Sequence, residues 1–317
     1  MTSPAARLRT VRVIWNAAAG SRVVSPSPTV DRSGLLEIMT SHGLGEDLVE
    51  TRTEDEGRAA ARRAVTDGID VVVAAGGDGT IATVAAELTG STAALGVLPL
   101  GTVMNVARML GLPRDLDGAA EVVRSGPVRA VDVGLAGERL FLETGSVGMN
   151  AAIFREIQRL DEGDWGSIAR TLRVAFRYRP ARMEIRLDRG TIRTRALMVV
   201  VANGPYMGAG MTVAPDADLQ DGLLDVRVFR GFSKTELLRY LVAVAFGRPR
   251  YEPHVTTDRS SRVSVRGARP LPCRADSRDL GTTPVEFEVR PHALHVVAPD
   301  PVADRGLPSP VSRAARA

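Results

Sequence analysis

The chain has 317 residues, 44% of them hydrophobic and 25% charged, with a formal net charge of +4. This composition excludes a wholly disordered chain, and the length accommodates two domains, each large enough to bury its own core. The charge is too small, and its basic residues too scattered, for a nucleic-acid partner.

Val11–Trp15 is a mostly apolar run that reads as a buried strand ending at Asn16 and the small-residue turn Ala17–Gly20. Pro26 and Pro28 mark a surface loop. Gly34–Ser41 reads as a helix, Leu48–Arg52 as a strand and Gly57–Asp67 as an alanine- and arginine-rich helix. Val71–Ala75 is a further apolar run leading into Gly76-Gly77-Asp78-Gly79-Thr80. Behind that turn, Ile81, Val84, Ala85 and Leu88 fall at helical spacing. Leu95–Leu98 is another buried strand, stopped by Pro99-Leu100-Gly101. This alternation predicts an α/β unit with a parallel sheet covered on both faces.

From about residue 130 strand-like runs dominate: Ala130–Gly134, Arg139–Thr144, Met183–Leu187, Ala196–Ala202, Leu224–Phe229, Arg262–Val265, Val285–Val289 and Leu294–Val297. Helical patterns interrupt them at Asn150–Leu160, Ser167–Tyr178 and Thr235–Phe246. The expectation is an α/β nucleotide-binding domain over 8–129 and a β-rich, antiparallel, sandwich-like domain over 130–298. The segment 292–300 is a candidate to return to the first domain. Residues 1–7 and 301–317, rich in Pro, Ser, Ala and Arg, read as disordered tails.

A strand, a glycine-rich turn and a helix together make a phosphate-binding design. Glycine lets the backbone approach the anion, and the helix N-terminus offers unpaired N–H groups. Nearly all basic residues are arginine, and Lys234 is the single lysine, so phosphate recognition falls to arginine or to backbone N–H groups. Asp78 is the informative residue, because a carboxylate beside phosphates is repulsive unless it meets a metal ion or takes a proton. Thr80 has a simpler role available, as a helix cap. The turn lacks the Gly-Lys-Ser/Thr ending of a P-loop and the third glycine of a dinucleotide fingerprint.

The single cysteine, Cys273, rules out an internal disulfide, fits a reducing cytoplasm and reads as a small core filler. His42, His254, His292 and His295 lack zinc spacing. No apolar signal core opens the chain, and no apolar run reaches the ~18 residues a membrane span needs.

Ala75–Thr80 followed by Leu98-Pro99-Leu100-Gly101-Thr102 resembles the diacylglycerol kinase catalytic domain of the bacterial lipid kinases, and is similar to sphingosine and ceramide kinases. The resemblance continues through Asn16–Gly20, Thr53, Gly145-Ser146-Val147-Gly148 and Val213–Asp225, and covers about residues 10–298. It implies an active site in the cleft between the two domains. It implies ATP held by Asn16, Gly20, Thr53, Gly76, Gly77, Gly79, Thr80, Gly101 and Thr102. It also implies Mg²⁺ at the Asp221-Gly222 turn, with Asp221 as side-chain ligand and the carbonyls of Asp218 and Leu223 beside it. The partner is then a lipid substrate met at the membrane surface by a cytoplasmic, peripheral enzyme, and a homodimer is compatible with the chain.

Three departures bear on activity. Ala82-Thr83 stands where many relatives carry Asn-Glu, and Gly101-Thr102-Val103-Met104-Asn105 stands for Gly-Thr-x-Asn-Asp. Asp276-Ser277-Arg278 stands for Asp-Gly-Glu, so Arg278 occupies the position of the general base. Asp78 or Asp276 is then the candidate to accept the proton. Two alternatives stay open: another small-molecule kinase such as an NAD kinase, and a nucleotide-binding relative with weak or no turnover. Arg170, Arg173 and Arg177 fall on one face of the helix expected over 167–178, close to Trp165. This stripe suits either an anionic membrane surface or plain solvent.

Overall fold

The computed structural model describes residues 9–17, 30–154, 173, 177–208, 210–230 and 255–299. Four parallel strands begin it: β1 (Val11–Asn16), β2 (Leu48–Thr51), β3 (Val71–Gly76) and β4 (Ala94–Pro99), in the order β2-β1-β3-β4. Both faces of β3 are buried, as its continuous apolar run requires. Val71, Val73 and Ala75 pack on one face with Leu35 and Met39 of α1 (Arg32–Ser41) and Ala119 and Val123 of α5 (Leu116–Ser125). Val72 and Ala74 pack on the other with Ala60 and Ala64 of α2 (Glu54–Thr66) and Ile81 and Leu88 of α3 (Asp78–Leu88).

Helix α2 starts three residues before the expected Gly57. Thr53 caps it, accepting from Glu56 N–H, while the Glu56 carboxylate accepts from Thr53 N–H. The acidic first turn of Glu54, Asp55 and Glu56 suits a helix N-terminus.

Beyond β4 the sheet continues into the second half of the chain. β18 (Val285–Val297) lies parallel to β4 at His295↔Ala94 and antiparallel to β5 (Val128–Ala136) and β15 (Arg262–Gly267). β8 (Ala181–Leu187) and β9 (Gly190–Ala196) complete the path of a ten-stranded sheet among the described residues. A second, antiparallel sheet runs β14 (Val255–Ser260), β13 (Leu224–Phe229), β10 (Met198–Ala202), β7 (Thr144–Gly148), β16 (Pro272–Ala275) and β17 (Arg278–Thr282). The two sheets form a sandwich. Val199, Val201, Leu224 and Val226 of the small sheet meet Met183, Ile185, Val263 and Phe287 of the large one. Phe141 and Phe287 meet edge to face at 6.0 Å.

Two expectations change. The run Arg139–Thr144 is not one strand: it breaks into β6 (Arg139–Phe141) and β7, because the N–H groups of Leu142, Glu143 and Thr144 all donate to the Asp276 carboxylate. Val285–Val289 and Leu294–Val297 are one strand rather than two. A register shift between Arg290 and Leu294, with His292 at φ 52°, absorbs Pro291 and lets the same strand serve both halves of the molecule. Of the helix expected over 150–160, residues 149–154 are helical. Its remainder, the tails, the helix expected at 235–246 and most of the arginine-bearing helix at 167–178 lie outside the described residues.

Candidate active site

The site grows from the end of β3. Gly77 is the N-cap of α3 and offers no side-chain cap, so the first-turn N–H groups of that helix point outward without one. A Cβ at Gly79 would meet nothing within 4 Å, which leaves open space over those donors. A Cβ at Gly76 would run into the Thr80 side chain. One at Gly101 would lie 2.7 Å from Gly77 Cα and 2.8 Å from Met104 Sδ. The glycine turn and the loop after β4 therefore touch backbone to backbone. Asn16, at the tip of β1, donates from Nδ2 to Thr80 Oγ1 at 3.4 Å.

Asn16, Gly76, Gly77, Gly79, Thr80 and Gly101 thus come together at the C-terminal ends of the parallel strands, and Thr102 follows Gly101 in the same loop. Thr53 has the capping role already described, and Gly20 lies outside the described residues.

Asp78, the first residue of α3, faces the loop that follows β4. Its oxygens accept from Asn105 N–H at 3.1 Å and Val106 N–H at 2.9 Å, at the start of the short helix α4 (Asn105–Met109). Met104, the residue before α4, sits in the left-handed region at φ 53°, a conformation that costs about 1–3 kcal/mol unless its surroundings impose it. Burial pushes the Asp78 carboxyl up from its ordinary value, against the pull of those backbone donors. Asp78 therefore ties the glycine turn to the Gly101–Asn105 loop.

From the second domain, Asp276 reaches the same region. It is half-buried, stands at φ 45°, and accepts three backbone N–H bonds of 2.8–3.0 Å from Leu142, Glu143 and Thr144. Burial raises it, and the backbone bonds pull the other way. Arg274 beside it donates to the Asp276 carbonyl, lies 3.5 Å from the centroid of the Phe154 ring, and is pushed down by burial to about 10.

Arg278 does not enter this group. It pairs with Glu54 in the first turn of α2 and so bridges the two halves of the chain. Burial would raise the Glu54 carboxyl, but the hydrogen bonds from Arg278 and Arg58 outweigh that and leave it lowered.

The Asp218–Leu223 turn lies elsewhere on the second domain. Asp218 Oδ1 accepts from Gln220 N–H, and Asp221 Oδ1 from Leu223 N–H. Arg259 reaches Asp221 Oδ2 at 3.5 Å, Asp225 Oδ2 at 3.4 Å and the Asp216 carbonyl at 2.8 Å. Buried Asp132 holds the turn, accepting from Gly222 N–H at 2.7 Å and from His292 N–H at 2.8 Å. The sequence pattern alone does not single out Asp132, although a lone acid within the apolar run Ala130–Gly134 is a signal. Among the described residues no three acidic, His or Cys side chains gather to hold a metal ion. A turn that offers one carboxylate and backbone carbonyls still has the donor type a hard cation takes.

Fold and site together define an α/β unit, with a glycine turn at the head of a helix, joined through one shared sheet to an antiparallel sandwich. Residues 10–136 match the diacylglycerol kinase catalytic domain, and residues 145–298 match the YegS C-terminal NAD kinase beta sandwich-like domain. A diacylglycerol kinase of Bacillus subtilis is 25% identical over 94% of this chain and 99% of its own length. A protein of Chromohalobacter salexigens named "Probable lipid kinase YegS-like" is 30% identical over 77% of this chain and 81% of its own length. The crystal structure of a diacylglycerol kinase from Bacillus anthracis superimposes with a TM-score of 0.70 over 93% of this chain and 98% of its own, at 18% identity, a likeness of fold. The chain belongs to the diacylglycerol kinase catalytic domain family, together with the YegS-type lipid kinases.

Proposed function

We propose that this chain transfers the γ-phosphate of ATP to a hydroxyl group on a lipid, of which diacylglycerol is the type. The uncapped N-terminus of α3, with open space over Gly79, carries the nucleotide half of this reading. Relatives named as lipid kinases, aligned over most of the chain, support the acceptor half.

Phosphoryl transfer depends mainly on positioning and on neutralising charge. Backbone N–H groups of the glycine turn hold the phosphates, and Asn16 and Thr80 shape the floor of the site. Asp78 is a positioning residue, because its carboxylate fixes the Gly101–Asn105 loop against the turn. Asp276 acts likewise on residues 142–144 and has no oxygen left without a backbone donor.

The donor set at the Asp221 turn fits Mg²⁺ in kind. Asp221 with the carbonyls of Asp218 and Leu223 would hold the ion, and Arg259 would compete with it for Asp221. Bound there, Mg²⁺ would supply positive charge to the second domain. The enzyme would meet its lipid at a membrane surface; no helix among the described residues is long and apolar enough to cross one.

The second reading is a nucleotide-binding relative with little turnover. Arg278, paired with Glu54 where relatives carry a carboxylate base, favours it. Incubation with γ-labelled ATP, Mg²⁺ and a lipid extract, followed by partition into chloroform, separates the readings. Label in the organic phase is the expected result. Label only in a water-soluble nucleotide product sinks the lipid acceptor, and nucleotide binding with no transfer leaves the second reading.

A further inference from the structure

We propose that Glu143 is the general base of the transfer, taking the proton of the acceptor hydroxyl in place of the carboxylate that Arg278 displaces. This rests on the kinase reading above.

Glu143 lies in the break between β6 and β7 that Asp276 creates. Its own carbonyl accepts from Asn203 N–H at 2.9 Å and Gly204 N–H at 3.1 Å, so its backbone is held on both sides. Its side chain turns toward the first domain, where Oε2 accepts from Asn105 Nδ2 at 2.6 Å. The same Nδ2 donates to the Gly208 carbonyl at 2.8 Å, which fixes the amide with its nitrogen facing Glu143. Asn105 in turn donates its backbone N–H to Asp78 Oδ2. Two hydrogen bonds therefore join Glu143 to the residue that opens α3, at the phosphate end of the site.

The other carboxylates nearby are all occupied. Both oxygens of Asp78 face backbone N–H groups, both oxygens of Asp276 do the same, and Glu54 holds Arg278 and Arg58. Glu143 differs. Its Oε2 has one neutral donor, and its Oε1 accepts no hydrogen bond from a described residue, yet is not among the sealed, partnerless atoms of the core. It keeps 8% of its surface exposed.

The charged groups facing it are Asp78 from α3 and Asp276 with Arg274 from the second domain. Burial, followed by the charges of Asp276 and Asp78, pushes the Glu143 carboxyl well above its ordinary value, and Arg274 and the Asn105 amide oppose that. A carboxylate raised toward neutral pH is a stronger base than an exposed one.

The step balances without a further reactant. The hydroxyl oxygen bonds to the γ-phosphorus, the bond from that phosphorus to the bridging oxygen breaks, ADP leaves with the electron pair, and the hydroxyl proton passes to Glu143 Oε1.

The test is Glu143→Gln, an isosteric change that still accepts from Asn105. Transfer should fall by roughly 10²–10⁴-fold with nucleotide affinity unchanged, and the acidic limb of the kcat–pH profile should vanish. Glu143→Asp should retain part of the rate with a displaced limb. A Gln variant with wild-type rate and profile overturns the proposal and leaves the kinase reading intact. Wild-type protein that binds nucleotide but transfers to no hydroxyl overturns both. Should the Gln variant not fold, the wild-type profile decides: a kcat that stays level down to the ordinary carboxylate range removes Glu143 as the base.

Discussion

The contact between the two glycine loops makes a quantitative prediction. In Gly101→Ala the new Cβ would stand 2.7 Å from Gly77 Cα and 2.8 Å from Met104 Sδ. Carbon atoms in good contact sit about 3.5–4.0 Å apart, so the loops must separate by roughly 0.8 Å or more. The Met104 contact is with its flexible side chain, but Gly77 is backbone at the cap of α3 and does not yield in that way. Overpacking of this kind costs about 1–3 kcal/mol. Urea unfolding should show that loss, and titration with a fluorescent ATP analogue should show weaker binding, because the two loops that flank the nucleotide are pushed apart. Gly79→Ala is the matched control. Its Cβ meets nothing within 4 Å, and alanine favours a helix by up to about 1 kcal/mol over glycine. That variant should be at least as stable as wild type and yet bind nucleotide less tightly, because the methyl group enters the space reserved for phosphate. If Gly101→Ala melts and binds like wild type, the loops are not in forced contact. If Gly79→Ala binds normally, phosphate does not rest on α3.

Asp276→Ala should destabilise the chain by at least about 3 kcal/mol in urea, since it strands three backbone N–H groups and removes the carboxylate charge beside Arg274, whose hydrogen bond to the carbonyl of residue 276 survives; a loss below about 1 kcal/mol would refute its role in the strand break. Burial raises Asp78, Glu143 and Asp276 in the folded chain, so the folded state binds protons more tightly than the unfolded one above the ordinary carboxylate range. Stability from these groups is gained as pH falls from neutral through their raised values, and a melting temperature a few degrees higher at about pH 5.5 than at about pH 7.5 is expected by calorimetry. Further acidification should reverse the gain as half-buried surface carboxylates with lowered values, such as Glu184 and Glu288, lose their arginine partners. Arg259→Ala should tighten Mg²⁺ binding at Asp221 severalfold by removing a competing cation, as isothermal titration would show.

Much of the architecture is local in origin and legible in the amino-acid order. The parallel half follows from apolar runs without alternation, Val71–Ala75 above all, separated by helical spacing such as Ile81, Val84, Ala85 and Leu88. Strand β13 is readable to its ends for the same reason. By contrast β9 gives no such sign, because Thr191–Arg195 is mostly exposed and carries almost no apolar signal. The glycine turn is legible as a candidate phosphate site because glycine, strand and helix are all consecutive. The fate of Asp78 is not, because its partners are 27 and 28 residues away.

Patterning along the chain therefore determined the two-part fold and the place of the glycine loop, since both depend on neighbours within a few turns of helix or strand. Tertiary structure alone decided which carboxylates are tied to backbone donors and which is not. Asp276 reaches across 132–134 residues to break a strand, Arg278 is drawn away to Glu54, and Glu143 is left beside Asn105. Hydrogen bonding and burial set the chemistry of an acid, and those are properties of the packed site rather than of the residues beside it in sequence.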